Sequence, residues 1–210
     1  MKTEAHIRYK NKEGKIIPGA TTVVGLLNKP QLIIWANRLG LQGIDSTAYR
    51  DGAARMGILA HDYILCHHKG IKPDLTDYSK VEIDAAENSF LSYLEWLKGH
   101  KLEPLLLETP LVSEEYQFGG TPDCLCMLDG EIALIDYKTG GIYKEAYYQT
   151  CAYRQLLVEN ERRVPNKIII LGIPRTPDES FKTEVYTEFD TGWEIFKHLL
   201  KIYYLQKKVK

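Results

Sequence analysis

No run of about 18 apolar residues occurs anywhere in this 210-residue chain, so no membrane-spanning helix is expected. The opening MKTEAHIRYK lacks the apolar core of a secretory signal, which makes the cytoplasm the expected location. Cysteine is scarce: Cys66, Cys124, Cys126 and Cys151 match neither the spacing of a zinc ribbon nor a disulfide framework. Cys124 and Cys126 alternate along an expected strand and read as small core residues. A charge excess is missing too. With 27 Lys and Arg against 28 Asp and Glu, the net charge is −1, and a purely basic nucleic-acid-binding module is disfavoured. An acidic metal site offset by basic contacts elsewhere fits the same balance. Internal repeats, low-complexity segments and a Gly-x-x-x-x-Gly-Lys-Ser/Thr phosphate loop are likewise absent, so no helicase motor is encoded.

What is present suits a globular α/β (α+β) protein with a sizeable core: 44% hydrophobic and 26% charged residues. Ala5 to Ile17 alternates around Glu13-Gly14 and reads as a hairpin. Pro30 opens a helix carrying Ile33, Ile34, Trp35 and Leu39. Ser46 to about His68 is helical, with Ala54, Gly57, Ile58, His61 and Leu65 on one face, and Gly70 stops it. A further helix is expected over Tyr78 to Lys98, with Phe90, Leu91, Leu94 and Leu97 inward. Strands follow over Leu105 to Ser113, Thr121 to Leu128 and Glu131 to Lys138, then a helix over Lys144 to Asn160. Strands over Lys167 to Ile173 and Thr183 to Phe189 precede a last helix, opened by a Thr191-to-Glu194 capping box and ending in a basic tail. This order implies a mixed β-sheet flanked by helices, in one domain of residues 1–210. Residues 1–100 form a hairpin and helical N-terminal part, and residues 101–210 carry the sheet.

The chemistry concentrates around one turn. Asp129-Gly130 is a favoured two-residue hairpin loop. If it is the loop, Asp123 faces Asp136, and opposed Cβ atoms lie about 4.5–5.5 Å apart. Two like charges held that close repel, and a divalent cation between them removes the penalty. Lys138 projects from the same strand face as Asp136. The run Ile132 to Ile135 is apolar on both faces, so this strand is buried and charges at its end need a reason. Two carboxylates and an ammonium group suit phosphodiester hydrolysis: magnesium or manganese favours oxygen ligands, acidifies bound water and polarises the phosphoryl oxygen. The ammonium group orients the water and stabilises charge. The competing reading is a surface hairpin with a solvated Asp–Lys pair.

Pro122-Asp123, twelve residues, then Asp136-Tyr137-Lys138 resembles the motif of the PD-(D/E)XK nuclease superfamily. Gly120-Thr121-Pro122-Asp123 with Asp136-Tyr137-Lys138-Thr139-Gly140 is similar to its RecB-like, phage-type exonuclease branch. Gln149-Thr150-Cys151-Ala152-Tyr153 fits that branch's Gln-x-x-x-Tyr helix, Gly57 to His61 its upstream histidine, and Pro18 to Thr22 followed by Trp35-Ala36 its opening. The resemblance spans about residues 18 to 153. It implies a restriction-endonuclease-like core with an N-terminal helical elaboration. Asp123, Asp136, the Tyr137 carbonyl and His61 would bind magnesium or manganese, with Glu108 nearby; Glu114 or Glu115 is the alternative. Lys138 would assist the attacking water, while Gln149 and Tyr153 would orient the site. No cysteine follows Cys151, so no iron–sulfur cluster is expected.

The implied activity is a DNA exonuclease in recombination, repair or phage DNA processing, acting on double- or single-stranded DNA with a single-strand annealing or recombination protein as partner. An endonuclease on the same core is the alternative enzyme. A catalytically degenerate nucleic-acid-binding module is the alternative outside enzymes. A metal site at His67 and His68 is disfavoured, because adjacent helical side chains diverge by about 100°. Arg50, Arg55, Lys144 and Arg154 are expected phosphate contacts, and some of the fourteen tyrosines are expected to stack on bases.

Overall fold

The structure is a computed structural model and describes residues 7–209. Seven strands and six helices follow in chain order: α1 (Ala20–Val24), α2 (Pro30–Leu41), α3 (Ser46–Lys69), α4 (Lys80–Leu97), β1 (Leu102–Leu107), β2 (Leu111–Ser113), β3 (Phe118–Gly120), β4 (Cys124–Leu128), β5 (Glu131–Thr139), α5 (Lys144–Glu159), β6 (Lys167–Ile173), β7 (Lys182–Tyr186) and α6 (Asp190–Gln206).

Local chemistry sets many of these limits. Pro30 occupies the first turn of α2, where a missing N–H costs nothing. The Asp45 carboxylate caps α3 by accepting from the N–H groups of Thr47 and Ala48, and Gly70 ends it in the left-handed region at φ 66°. Ser79 and Glu82 form a reciprocal capping box on α4. Asp129 (φ 52°) and Gly130 (φ 88°) both turn left-handed, the requirement of the tight turn that joins β4 to β5.

The five-stranded sheet runs β1-β4-β5-β6-β7. Only β5 and β6 are parallel, with α5 in their crossover; the other neighbours are antiparallel. This is the mixed sheet flanked by helices that the sequence implied. One face, with Leu125, Leu134, Ile168 and Ile170, packs on α1, α5 and α6. The other, with Cys124, Cys126, Ile135, Tyr137 and Ile169, packs on Ile64 of α3 and Tyr93 of α4. All four cysteines are buried and unbridged.

Several expectations are corrected. Leu105 to Ser113 is two strands in two sheets: β1 joins the main sheet, while β2 pairs with β3 alone. The break falls at Glu108, whose φ is 41°, followed by Thr109 and Pro110, which has no N–H for a ladder. On α4, Leu91 is 63% exposed, and Ala86, Ser89 and Tyr93 are the buried positions. Ile33 and Ile34 of α2 face outward; only Leu39 of that helix is buried. At α6 the expected capping box does not form: the helix starts at Asp190 with no side-chain cap, and Glu194 pairs with Lys197 at 2.6 Å. Ala5 and His6 of the expected hairpin lie outside the described residues. Its remainder is a turn with one bridge, Lys10 to Ile16, held by Asn11 Oδ1 accepting from the N–H groups of Glu13 and Lys15.

Candidate metal centre

Three acids line up on neighbouring strands at one end of the sheet. Cys124 pairs with Ile135, so the next rung sets Asp123 against Asp136, as the turn arithmetic required. On the other side, the N–H of Glu108 donates to the Asp123 carbonyl at 3.0 Å, placing Glu108 beside Asp123. A one-residue bulge in β1 decides this. The register shifts between Pro104 and Leu106, and Leu107 meets Cys124. Without the bulge, Leu107 would stand where Glu108 stands.

The fourth group arrives from α3. His61 Nδ1 lies 3.5 Å from Glu108 Oε1 and 3.7 Å from Asp123 Oδ2. Its Nε2 is 2.9 Å from the Tyr137 carbonyl oxygen. An imidazole nitrogen and two carboxylate oxygens thus lie within 4.8 Å of one another. Asp123 Oδ2 also accepts from the Tyr137 N–H at 2.8 Å, which holds the carboxylate in place. The approach of α3 depends on Gly57: a Cβ there would sit 2.8 Å from Thr139 Oγ1 at the end of β5.

Asp136 is 1% exposed, and neither of its oxygens receives a hydrogen bond of acceptable geometry, although Lys138 Nζ lies 2.6 Å from Oδ2. A buried carboxylate left this way is costly unless another charge completes its shell. Burial raises the Asp136 pKa to about 6, against the lowering pull of Lys138. Asp123 is also raised by burial. Burial would lower His61, but Asp123 and Glu108 outweigh it and bring its pKa up to about 9. Burial opposes the Lys138 charge as well, and Asp136 and Asp123 outweigh it, so that pKa rises. The donor set, carboxylates with one imidazole, fits a divalent cation that prefers oxygen ligands.

From α5, Gln149 donates to the Tyr153 hydroxyl and, at 3.2 Å, to Thr21 Oγ1. The Tyr153 ring explains Gly120: a Cβ at Gly120 would sit 2.5 Å from it. A cleft of about 250 Å³ runs beside Lys138 and Gln149 and is lined also by Thr21, Lys29, Gly141, Tyr143 and Glu145. Thr21, Lys29 and Tyr143 received no role from sequence; isolated residues on loops and a five-residue helix carry no periodic signal. Tyr9 was equally silent, yet its hydroxyl reaches Thr121 Oγ1 at 2.9 Å.

The expected phosphate contacts divide. Lys144 starts α5 and is exposed. Arg50 pairs with Asp51 at 2.8 Å on an exposed turn of α3. Arg55 is engaged by Glu82 and by the Asp77 carbonyl. Arg154 donates to the Pro165 carbonyl at 3.3 Å and lies over the Phe189 ring. Glu114 accepts from the Lys12 N–H. His67 and His68 contact Phe90 and Tyr93 in an aromatic cluster.

No family model matches the chain, and no curated protein matches it in sequence. Among solved structures it is similar to a protein from Eubacterium rectale described as a candidate exonuclease, with 14% identity and TM-score 0.47, covering 70% of this chain and 64% of that one. It is also similar to the alkaline exonuclease of Laribacter hongkongensis, with 16% identity and TM-score 0.34 over 70% of this chain and 82% of that one. The same enzyme in complex with dAMP aligns with TM-score 0.38 over 74% of this chain and 95% of that one, at 16% identity. The chain thus spans about two thirds of the length of the first of these. No helix among the described residues is long and apolar enough to cross a membrane.

Proposed function

We propose that this chain is a metal-dependent DNA exonuclease of the PD-(D/E)XK type, hydrolysing phosphodiester bonds. One observation carries the reading. Glu108, Asp123 and Asp136 stand in a row across three strands, with His61 and Lys138 against them and the Asp136 oxygens buried without hydrogen bonds. The N-terminal half supplies His61 and the sheet half supplies the acids, so residues 1–210 act as one nuclease domain.

Asp123, Glu108 and His61, with Asp136 beside them, hold magnesium or manganese. The cation supplies Lewis-acid stabilisation of phosphoryl charge and a lowered pKa for water. Lys138 stays protonated against Asp136, so its ammonium group orients the attacking water and offsets charge that develops on the phosphoryl oxygens. His61 donates from one nitrogen to the Tyr137 carbonyl, which leaves Nδ1 facing the acids with a fixed ring orientation. Gln149 and Tyr153 hold the wall of the cleft. Lys29, Lys138 and Lys144 receive the backbone phosphates. The setting is DNA processing in recombination, repair or phage replication, in the cytoplasm.

The test is digestion of end-labelled linear and closed circular DNA with magnesium, manganese or EDTA. Linear DNA should shorten from its ends in either metal, and circular DNA should survive. Cleavage of circles selects an endonuclease. No cleavage under any metal sinks the enzyme reading.

A further inference from the structure

The basic tail of α6 has no part in the metal centre, yet it builds a surface of its own. Lys197, Lys201, Tyr204 and Lys208 fall at i, i+4, i+7 and i+11, one stripe of the helix. Two grooves flank that stripe, and both are lined by Tyr204 and Lys208, so they are continuous. Across the first groove stand Lys15, Ile16, Ile17 and Pro18 of the N-terminal turn. The linings contain Lys15, Lys197, Lys201, Lys207 and Lys208 against one acid, Glu115. In a chain of net charge −1, this concentration of one sign leaves the remainder correspondingly acidic. Among the described residues, neither Lys201 nor Lys208 has an acidic partner within ion-pair distance, and both are exposed. Tyr204 is anchored by its hydroxyl to the Gln117 carbonyl, which fixes its ring as the ridge between the grooves.

The surface is joined to the cleavage centre. Pro18 walls the groove, and its carbonyl accepts from the Gly119 N–H. The same N-terminal turn carries Tyr9, whose hydroxyl meets Thr121, two residues before Asp123. Thr21, three residues beyond Pro18, lines the cleft.

We infer that the α6 stripe and the Lys15–Pro18 turn form a second contact for the nucleic-acid strand, gripping sugar-phosphate backbone outside the cleavage cleft. Lysines interleaved with an immobilised aromatic ring fit a strand better than a compact anion, since a polyanion engages the whole stripe at once. The inference rests on the nuclease reading above.

The test compares single-stranded oligonucleotides in EDTA by fluorescence anisotropy. One is short, about four nucleotides, and fills the cleft alone; the other, of about 30, exceeds the roughly 4–16 nucleotides that a single binding fold occupies. Lys201→Ala/Lys208→Ala should bind the long strand about tenfold more weakly at ~0.1 M salt, with the slope of log affinity against log salt reduced by about two. Binding and metal-dependent cleavage of the short strand should be unchanged. If wild type binds and cleaves DNA but the variant matches it on the long strand, the inference falls and the nuclease reading stands. If wild type binds no DNA and cleaves none, both fall. Polyglutamate competing as well as DNA for the stripe would make an acidic polypeptide the occupant and overturn the assignment.

Discussion

His61 is the residue whose chemistry changes most between chain and fold. With its pKa brought to about 9, it carries a proton at neutral pH before a cation binds. A ligating imidazole must be neutral, so binding displaces that proton. Apparent affinity should therefore rise with pH and level off above about 9, changing about tenfold per pH unit when one proton is released. Below about 6, Asp136 is protonated too, and the dependence should steepen. Manganese titration followed by calorimetry from pH 5.5 to 9.5 checks this (the interval spans both pKa values). A flat profile would show that His61 is not a ligand. At the reacting end, Lys138→Ala should lower the cleavage rate by about 10² or more while leaving manganese binding within a few-fold, because its ammonium group acts on charge in the transition state. Equal activity of wild type and this variant would mean that the site lies elsewhere.

At the scale of elements, the decisive feature is the irregularity in β1. Deleting Leu105, the residue that the bulge leaves without a partner on β4, should restore regular pairing and bring Leu107 beside Asp123. β1 is an edge strand, so the far-ultraviolet circular dichroism should be retained while metal affinity and cleavage drop together. Retained cleavage would show that Glu108 has no place at the site. Helix α5 depends on close contact with β3. Gly120→Ala should destabilise the protein by about 1–3 kcal/mol, because its new methyl group overlaps the Tyr153 ring. Chemical denaturation reads that loss. These elements differ in how legible they were. The β4–β5 turn was readable from Asp129-Gly130 because that dipeptide tolerates left-handed backbone at both positions. The break between β1 and β2 was missed because Leu105, Leu106 and Leu107 run unbroken into Glu108, and no local pattern marks a change of sheet. The α6 capping box was over-read: Thr191 and Glu194 have the right spacing, but the helix already starts at Asp190.

At the scale of the molecule, the metal centre ties α3 to the ends of β1, β4 and β5. A cation that binds only this assembled arrangement stabilises the whole fold. At a hundredfold excess over its dissociation constant it contributes about 2.7 kcal/mol. For a chain of this size that raises the melting temperature by roughly 5–10 °C. Differential scanning calorimetry with manganese, then with excess EDTA, should show the rise and its reversal, and His61→Ala should abolish it. An equal rise in that variant would place the cation somewhere else.

The sequence by itself determined that Asp123 faces Asp136 with Lys138 alongside, because a two-residue turn and a period of two leave no freedom once the loop is known. It determined the helix limits at Pro30, Asp45 and Gly70 for the same local reason. Resemblance singled out His61, Glu108, Gln149 and Tyr153 but could not say how they meet. Tertiary structure alone decided that Glu108 rather than Leu107 joins the row, and that His61 reaches it from the opposite face of the sheet. It also assigned Arg55 and Arg154 to Glu82, Asp77, Pro165 and Phe189. Those outcomes depend on a bulge, on the close approach of Gly57 to Thr139, and on contacts between residues far apart in the chain. Periodicity reports which face a side chain takes on its own element, but not which neighbour that face will meet.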